Sequence, residues 1–183
     1  MKALLIDHDD SFTYNLRRWL KPLCEEIIVR NHRDLEMVPE ALPASQLVVL
    51  SPGPLHPDNY PHVQKYIRSL PQQIFLYGVC LGLQMMVMSE GGSVESYAPP
   101  LHGKKSKLTS SLAVNGLEVA RYHSLKCQPP SVFEVLAVAE DDGLPMWLRH
   151  KTKNWMGVQF HPESFLTEEP AIHLKALRDW MGA

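Results

Sequence analysis

The segment Ile74–Gly82 reads Ile-Phe-Leu-Tyr-Gly-Val-Cys-Leu-Gly and places a cysteine where nucleophilic chemistry is possible. Its apolar residues predict a buried strand that runs into Gly78-x-Cys80-x-Gly82, with a helix following. This pattern is typical of a nucleophile elbow, a sharp strand-to-helix turn whose crowding requires glycines beside the nucleophile. The helix dipole would stabilise a thiolate at this position, and the Leu81 N–H could face a developing oxyanion. A buried structural cysteine would explain the motif equally well when it is taken alone.

A nucleophilic cysteine needs a base, and His161 is the candidate among the nine histidines. It follows an apolar strand predicted over Met156 to Phe160, and parallel sheets collect their active sites at such strand ends. Glu163 stands two residues further on and can fold back to hydrogen-bond the imidazole. A plain turn with an exposed acid would have the same sequence, so this interpretation depends on the elbow being present as well.

The turn Ser51-Pro52-Gly53-Pro54 ends the apolar strand predicted over Leu47 to Leu50. It can be no more than a turn, but it can also present the Gly53 N–H beside the elbow on the neighbouring strand. Rigid prolines on either side would hold that amide in place as a second oxyanion donor.

The elements that must position these groups alternate along the first half of the chain. Uncharged strands and amphipathic helices follow one another, which predicts a mostly parallel central sheet covered by helices on both faces. One of these helices is expected to begin at a Ser11 cap and to run to about Leu20. The second half has short strands with little helix between them, so antiparallel additions are expected there. We predict a single α/β domain over residues 1–183.

Composition excludes several classes of protein. The chain has 183 residues, and its 18 Lys and Arg against 20 Asp and Glu give a net charge of −2, without the basic character of nucleic-acid-binding domains. No apolar run reaches the roughly 20 residues of a membrane span, and the start lacks the long apolar stretch of a secretory signal. Three widely spaced cysteines make neither a disulfide framework nor a metal site, and a reducing cytoplasm is the simplest location.

Together these motifs resemble the three signatures of class I (triad) glutamine amidotransferases. Further blocks narrow the resemblance to the glutaminase subunits of anthranilate synthase and 4-amino-4-deoxychorismate synthase. The matching blocks are Asp9-Asp10-Ser-Phe-Thr-Tyr-Asn-Leu16, Ser51-Pro-Gly-Pro54, Gly78-Val-Cys-Leu-Gly-Leu-Gln84, Leu101-His-Gly-Lys104, Arg121-Tyr-His-Ser-Leu125 and Phe160-His-Pro-Glu-Ser164. They occur in order over almost the whole chain. Two positions depart from the family pattern, Leu83 in place of a usual His, and Leu55 in place of Gly or Cys.

The resemblance implies a flavodoxin-like α/β fold and the hydrolysis of L-glutamine without metal or cofactor. Cys80 would attack the side-chain amide, His161 would transfer protons, and Glu163 would orient the imidazole. The backbone amides of Gly53 and Leu81 would form the oxyanion hole. The resemblance also assigns the binding of glutamine to Gly53, Pro54, Leu55, Gln84, Ser124 and Leu125.

The resemblance further implies a protein partner, a synthase subunit that aminates chorismate with the ammonia released. The block Ser11, Phe12, Tyr14 and Asn15 is expected at that interface, since exposed aromatic side chains are common interface anchors. Whether the partner is the anthranilate or the aminodeoxychorismate enzyme is left open. Two other hypotheses remain: a catalytically silent binding subunit, which would have lost triad residues, and a cysteine hydrolase on the same scaffold, against which Gln84 argues.

Overall fold

The computed structural model of the protein describes residues 1–37 and 46–182. Within these residues the chain forms eleven strands, four α-helices and two short 3₁₀ helices. The strands are β1 (Lys2–Asp7), β2 (Glu26–Asn31), β3 (Leu47–Leu50), β4 (Phe75–Val79), β5 (Ser93–Ser96), β6 (Lys104–Ser110), β7 (Glu118–Arg121), β8 (Leu125–Gln128), β9 (Phe133–Ala139), β10 (Pro145–His150) and β11 (Trp155–Val158). The α-helices are α1 (Thr13–Leu20), α2 (Pro61–Ser69), α3 (Leu81–Ser89) and α4 (Pro170–Met181), and the 3₁₀ helices cover His32–Met37 and Pro57–Asn59.

Nine of the described strands form one mixed sheet in the order β2-β1-β3-β4-β11-β10-β9-β6-β7. The strands β2, β1, β3, β4 and β11 are parallel to one another. The remaining neighbours pair antiparallel, which confirms the predicted α/β fold with antiparallel additions from the second half. β11 differs from the other late strands, because it joins the parallel part beside β4. The carboxyl ends of β3, β4 and β11 therefore lie next to each other.

Both faces of the inner parallel strands β1, β3, β4 and β11 are buried, as their apolar central residues predict. Alternate residues of β1, β3 and β4 belong to two hydrophobic clusters, one under α1 and α4 and the other under α2 and α3. Each large aliphatic side chain buried in this way contributes about 1.5–3 kcal/mol. The first cluster includes Leu5, Val49, Tyr77, Leu16 and Leu177, and the second includes Leu4, Val48, Leu76, Ile67 and Met86.

The start of α1 differs from the prediction. The helix begins at Thr13, so the N-cap position falls on Phe12, which has no side-chain acceptor. The carboxylate of Asp10 accepts the Phe12 N–H at 2.8 Å, and Asp7 accepts the Thr13 hydroxyl at 2.6 Å. The predicted Ser11 cap is wrong, because these two carboxylates already organise the entry to the helix.

A small antiparallel pair, β5 with β8, is the main addition to the predicted elements. It packs against α3, and β8 begins at Leu125, one of the residues that the sequence assigned to glutamine binding. No helix in the described parts of the chain is both long and apolar enough to cross a bilayer.

Candidate active site

The elbow between β4 and α3 holds Cys80 in a strained backbone conformation. Cys80 has φ 53° and ψ −104°, a region that non-glycine residues rarely adopt. Such strain costs on the order of 1–3 kcal/mol and is kept only where surrounding contacts enforce it. One of those contacts is the hydrogen bond from the Cys80 N–H to the Val158 carbonyl on β11, at 2.8 Å. The cysteine is therefore held at the N-terminus of α3 with only 8% of its surface exposed.

Close packing explains the glycines around the cysteine. A Cβ atom at Gly78 would lie 2.6 Å from the backbone of Gly82 and Leu83, and one at Gly82 would lie 2.5 Å from the Leu50 carbonyl oxygen. Gly157 on β11 belongs to the same set, since its Cβ would lie 2.8 Å from both the Gly78 carbonyl oxygen and Leu83 Cδ1. This role of Gly157 was not predicted, although a glycine inside an apolar strand indicates close backbone approach. Leu83, the departure from the family pattern, is thus packed behind the elbow.

His161 lies just beyond β11 with its ring fixed from one side by Glu163. The imidazole Nδ1 is 2.7 Å from Glu163 Oε1, which is the contact that the sequence predicted. Both side chains are almost completely buried. Because Nδ1 faces the carboxylate, Nε2 is the nitrogen left to exchange a proton, and it has no partner among the described residues.

The surroundings of His161 favour its charged form. Burial lowers the pKa of His161, but the Glu163 carboxylate and the nearby Cys80 sulfur outweigh burial and raise that pKa well above its ordinary value. Two aromatic rings contact the imidazole edge-on, Phe12 at a centroid distance of 5.6 Å and Tyr122 at 5.0 Å. They restrict the ring to one orientation. Phe12 is thus partly buried against the site, whereas the sequence pattern had favoured an exposed aromatic.

The turn Ser51–Pro54, which the sequence predicts to be the oxyanion loop, leaves β3 directly beside the elbow. A Cβ at Gly53 would lie 2.7 Å from both His8 Cβ and Leu81 Cδ2, so the loop backbone is pressed against the start of α3. Ser51 holds the loop from behind, since its hydroxyl accepts the His8 N–H at 2.9 Å. The Tyr60 hydroxyl donates to the Pro54 carbonyl at 2.9 Å.

Leu55 follows this loop and carries the second departure from the family pattern. It has φ 68°, in the left-handed region that favours glycine, and 67% of its surface is exposed. The leucine side chain is therefore presented to solvent at the edge of the site.

Gln84 lies on the first turn of α3 and is 2% exposed. Its Nε2 donates to the side-chain oxygen of Gln159 at 3.1 Å and, more weakly, to the Leu125 carbonyl at 3.5 Å. Gln159 in turn places its own Nε2 3.5 Å from the Cys80 sulfur. Sequence reasoning missed Gln159. The signal available was a single polar residue between the apolar Val158 and Phe160.

The structure brings together the predicted catalytic and glutamine-binding segments near the carboxyl ends of the parallel strands. Three of the predicted interface residues face solvent. Tyr14 is 69% exposed, and Ser11 and Asn15 are also exposed. No group of three or more potential metal ligands occurs among residues 1–37 and 46–182. The arrangement offers a thiol, an imidazole oriented by a carboxylate, and two backbone amides at a strand end.

A cysteine elbow, a His–Glu pair just beyond the adjacent parallel strand and this sheet order are features of class I glutamine amidotransferases. Residues 4–178 match the family model described as glutamine amidotransferase class-I, and the chain belongs to that family. Similar curated proteins include aminodeoxychorismate synthase component 2 of Escherichia coli, 39% identical over 91% of this chain and 93% of that protein. Another is anthranilate synthase component 2 of Pseudomonas aeruginosa, 41% identical over 91% of this chain and 89% of that protein.

Solved structures support the same fold. A Thermoplasma acidophilum protein described as part of a GMP synthase has a TM-score of 0.83 and 21% identity, and the match covers 100% of this chain and 94% of that one. A glutamine amidotransferase from Thermotoga maritima has a TM-score of 0.74 and 18% identity, and the match covers 100% of this chain and 84% of that one.

Proposed function

We propose that this chain is the glutaminase subunit of a chorismate-aminating synthase and that it hydrolyses L-glutamine to glutamate and ammonia. The observation that carries the proposal is the joint placement of Cys80 on the strained elbow and of the His161–Glu163 pair one strand away. The two component 2 relatives extend it to the pathway, since both are named as parts of synthases.

The chemistry is acyl transfer to a thiol. His161 Nε2 takes the Cys80 proton, and the thiolate attacks the side-chain amide carbon of glutamine. The resulting imidazolium donates that proton to the leaving nitrogen, the C–N bond breaks, and ammonia departs from a γ-glutamyl thioester. Water then attacks the thioester with His161 as base, which releases glutamate and restores the thiol. Glu163 stabilises the imidazolium in both halves, as the raised pKa of His161 supports.

Two backbone amides are proposed to hold the tetrahedral oxyanion, those of Gly53 and Leu81. Leu81 is the residue that follows the nucleophile at the start of α3, where the helix dipole adds to the stabilisation. Gly53 lies against Leu81, so the two amides belong to adjacent backbone segments. The Tyr60 and Ser51 contacts keep the oxyanion loop in place before substrate arrives.

Glutamine is proposed to lie between the oxyanion loop and the turn that precedes β8. Gln84 and the backbone of Ser124 and Leu125 bind its amino-acid end, with Gly53, Pro54 and Leu55 alongside. The contact between Gln84 and the Leu125 carbonyl supports a shared subsite. We assign residues 1–183 to one domain, and we assign no cofactor or metal to it.

The partner in this proposal is a chorismate-utilising synthase subunit, either aminodeoxychorismate or anthranilate synthase. Its docking surface includes Ser11, Phe12, Tyr14 and Asn15, and the exposure of Ser11, Tyr14 and Asn15 supports a protein contact there. Phe165 is 89% exposed two residues after Glu163, and an exposed aromatic at this position is suited to anchor a partner. A cytoplasmic location fits the three free cysteines, since the reaction needs a reduced thiol.

The test is glutamine-dependent ammonia release by the purified chain, alone and with each synthase subunit plus chorismate. The Cys80→Ser variant is the matched control. We expect release that depends on Cys80 and that one partner increases. Turnover of peptides or esters without turnover of glutamine would instead identify a cysteine hydrolase. An unreactive chain that still activates the synthase would identify a silent binding subunit.

A further inference from the structure

A buried arginine lies behind the glutamine-binding turn. Arg121 at the end of β7 is completely buried. Its guanidinium donates to the Ser106 hydroxyl at 2.9 Å and to the carboxylates of Asp141 at 3.2 Å and Asp142 at 2.7 Å. A buried charge is tolerated only when it is paired and hydrogen-bonded, and here both conditions are met. The remaining nitrogen, Nε, points away from the acids.

That nitrogen fixes the protonation of a histidine. Arg121 Nε donates to His123 Nε2 at 3.0 Å. A guanidinium has no acceptor, so His123 Nε2 must carry the lone pair, and the ring proton is on Nδ1. Nδ1 then donates to the Leu125 carbonyl at 2.8 Å. Burial, and then the Arg121 charge, lower the pKa of His123 to about 4, so this tautomer is retained at neutral pH.

His123 is one of three groups that hold successive backbone carbonyls in place. The carbonyl of His123 accepts the Leu101 N–H at 3.1 Å, and that of Ser124 accepts the Tyr97 N–H at 2.8 Å. The Leu125 carbonyl accepts the His123 ring N–H. Three successive peptide groups of the proposed glutamine-binding turn are therefore fixed in orientation, and only the third depends on a side chain.

The same carbonyl continues the connection into the site. Gln84 Nε2 lies 3.5 Å from the Leu125 carbonyl and 3.1 Å from the Gln159 side-chain oxygen. Gln159 is 3.5 Å from the Cys80 sulfur. A continuous series of polar contacts thus runs from the buried Arg121 to the sulfur of Cys80.

We propose that Arg121 and His123 are positioning residues that set the affinity for glutamine by fixing the Leu125 carbonyl and the Gln84 amide. Neither residue touches the reacting atoms, so the effect should fall on substrate binding rather than on the chemical step. The inference rests on the proposed function, since it names the groups that shape that same subsite.

The test measures L-glutamine binding by calorimetry in Cys80→Ser protein, where turnover is removed. We expect His123→Ala to weaken binding roughly tenfold or more. His123→Asn should recover most of the affinity, because the asparagine amide places a donor near the position of Nδ1. In protein with Cys80 intact, His123→Ala should raise KM by a similar factor and change kcat by less than about threefold.

His150→Ala is the matched control. His150 is also a buried histidine that holds backbone, because its Nδ1 accepts the N–H groups of Thr152 at 3.1 Å and Lys153 at 3.0 Å. It lies beside Glu90, beyond the far end of α3 from Cys80. We expect its loss to lower thermal stability and to leave glutamine affinity unchanged.

Three results would overturn the inference: unchanged affinity in His123→Ala, equal weakening in His123→Asn and His123→Ala, or a similar loss in His150→Ala. Absence of glutamine binding in the Cys80→Ser parent itself has a different meaning. It would remove the proposed function, and the positioning role with it.

Discussion

Three of the buried histidines are expected to make the folded protein sensitive to mild acid. Burial lowers the pKa of His8 to about 3 and the pKa values of His123 and His173 to about 4. In the unfolded chain each titrates near its ordinary value of 6.5. Because each folded pKa lies below the unfolded one, each neutral histidine contributes stability above about pH 6.5, and this stability is lost as the pH falls towards the folded value.

The size of the effect follows from these shifts. Between about pH 7 and pH 5 each of these histidines becomes protonated in the unfolded chain but stays neutral in the folded chain. The free energy of unfolding therefore falls by about 2 kcal/mol for each histidine. Three of them give about 6 kcal/mol, a large part of the roughly 5–15 kcal/mol that stabilises a typical domain. His161 acts in the opposite sense, because its pKa is raised: its contribution to stability is complete below the unfolded value near 6.5 and is lost as the pH rises through the folded value.

His173 on α4 allows a direct test. Its ring lies against Trp147 and Phe160, with centroid distances of 5.9 and 5.1 Å. Neither ring nitrogen has a hydrogen-bond partner among the described residues, and the Glu168 carbonyl is near without hydrogen-bond geometry. We expect His173→Phe to reduce the loss of unfolding free energy between about pH 7 and pH 5 by about 2 kcal/mol.

The measurement is urea unfolding followed by circular dichroism at both pH values, with the exposed His102 replaced by alanine as control. Any strain from the larger ring affects both pH values equally, so the difference between them isolates the titration. A variant that loses as much stability as the parent would refute the reasoning. So would an equal change in the His102 variant.

Three further predictions concern the site and the surface. Glu163→Gln should lower kcat roughly 10- to 150-fold with little change in KM, because a charged hydrogen bond to His161 worth about 1.5–3 kcal/mol is lost. The measurement is steady-state ammonia release, and a kcat within about twofold of wild type would contradict the prediction. Gly82→Ala should destabilise the fold by about 2 kcal/mol or more in thermal unfolding, since its Cβ would meet the Leu50 backbone; an unchanged melting temperature would oppose this. Arg149→Ala should lower the free energy of unfolding by less than about 1 kcal/mol in the same assay, because its ion pair with Glu134 on β9 is half exposed. A larger loss would show that this exposed ion pair stabilises the fold more than expected.

Much of the fold could be predicted because the inner parallel strands are apolar runs that stand out in the sequence. Runs such as Leu47 to Leu50 have no polar residue, which is expected only of a strand buried on both faces. The pair β5 and β8 could not be found in this way. Their sequences, Ser-Val-Glu-Ser and Leu-Lys-Cys-Gln, are short and polar, and they are strands only because they pair with each other.

The placement of Cys80, His161 and Glu163 was predictable for a related reason, and that of the residues around them was not. Cys80 stands between two glycines in the elbow pattern. Glu163 stands two residues after His161, close enough to hydrogen-bond its ring. Arg121 and Gln159 acquire their roles from partners that are distant in sequence, such as Asp142 and Gln84. A buried polar contact of this kind leaves no periodicity in the sequence, so a single polar residue in an apolar run can be noticed there but its partner cannot be named.

The position of β11 has a consequence for protein synthesis. This strand is the last in chain order among the described residues, yet it lies inside the sheet between β4 and β10. A growing chain that ends before β11 has the cysteine but lacks the Val158 carbonyl that holds the elbow, and it lacks the histidine base. It also leaves β4 and β10 with open edges, which are prone to aggregation. A chain that stops before β11 is therefore expected to lack the paired thiol and imidazole and to expose two strand edges.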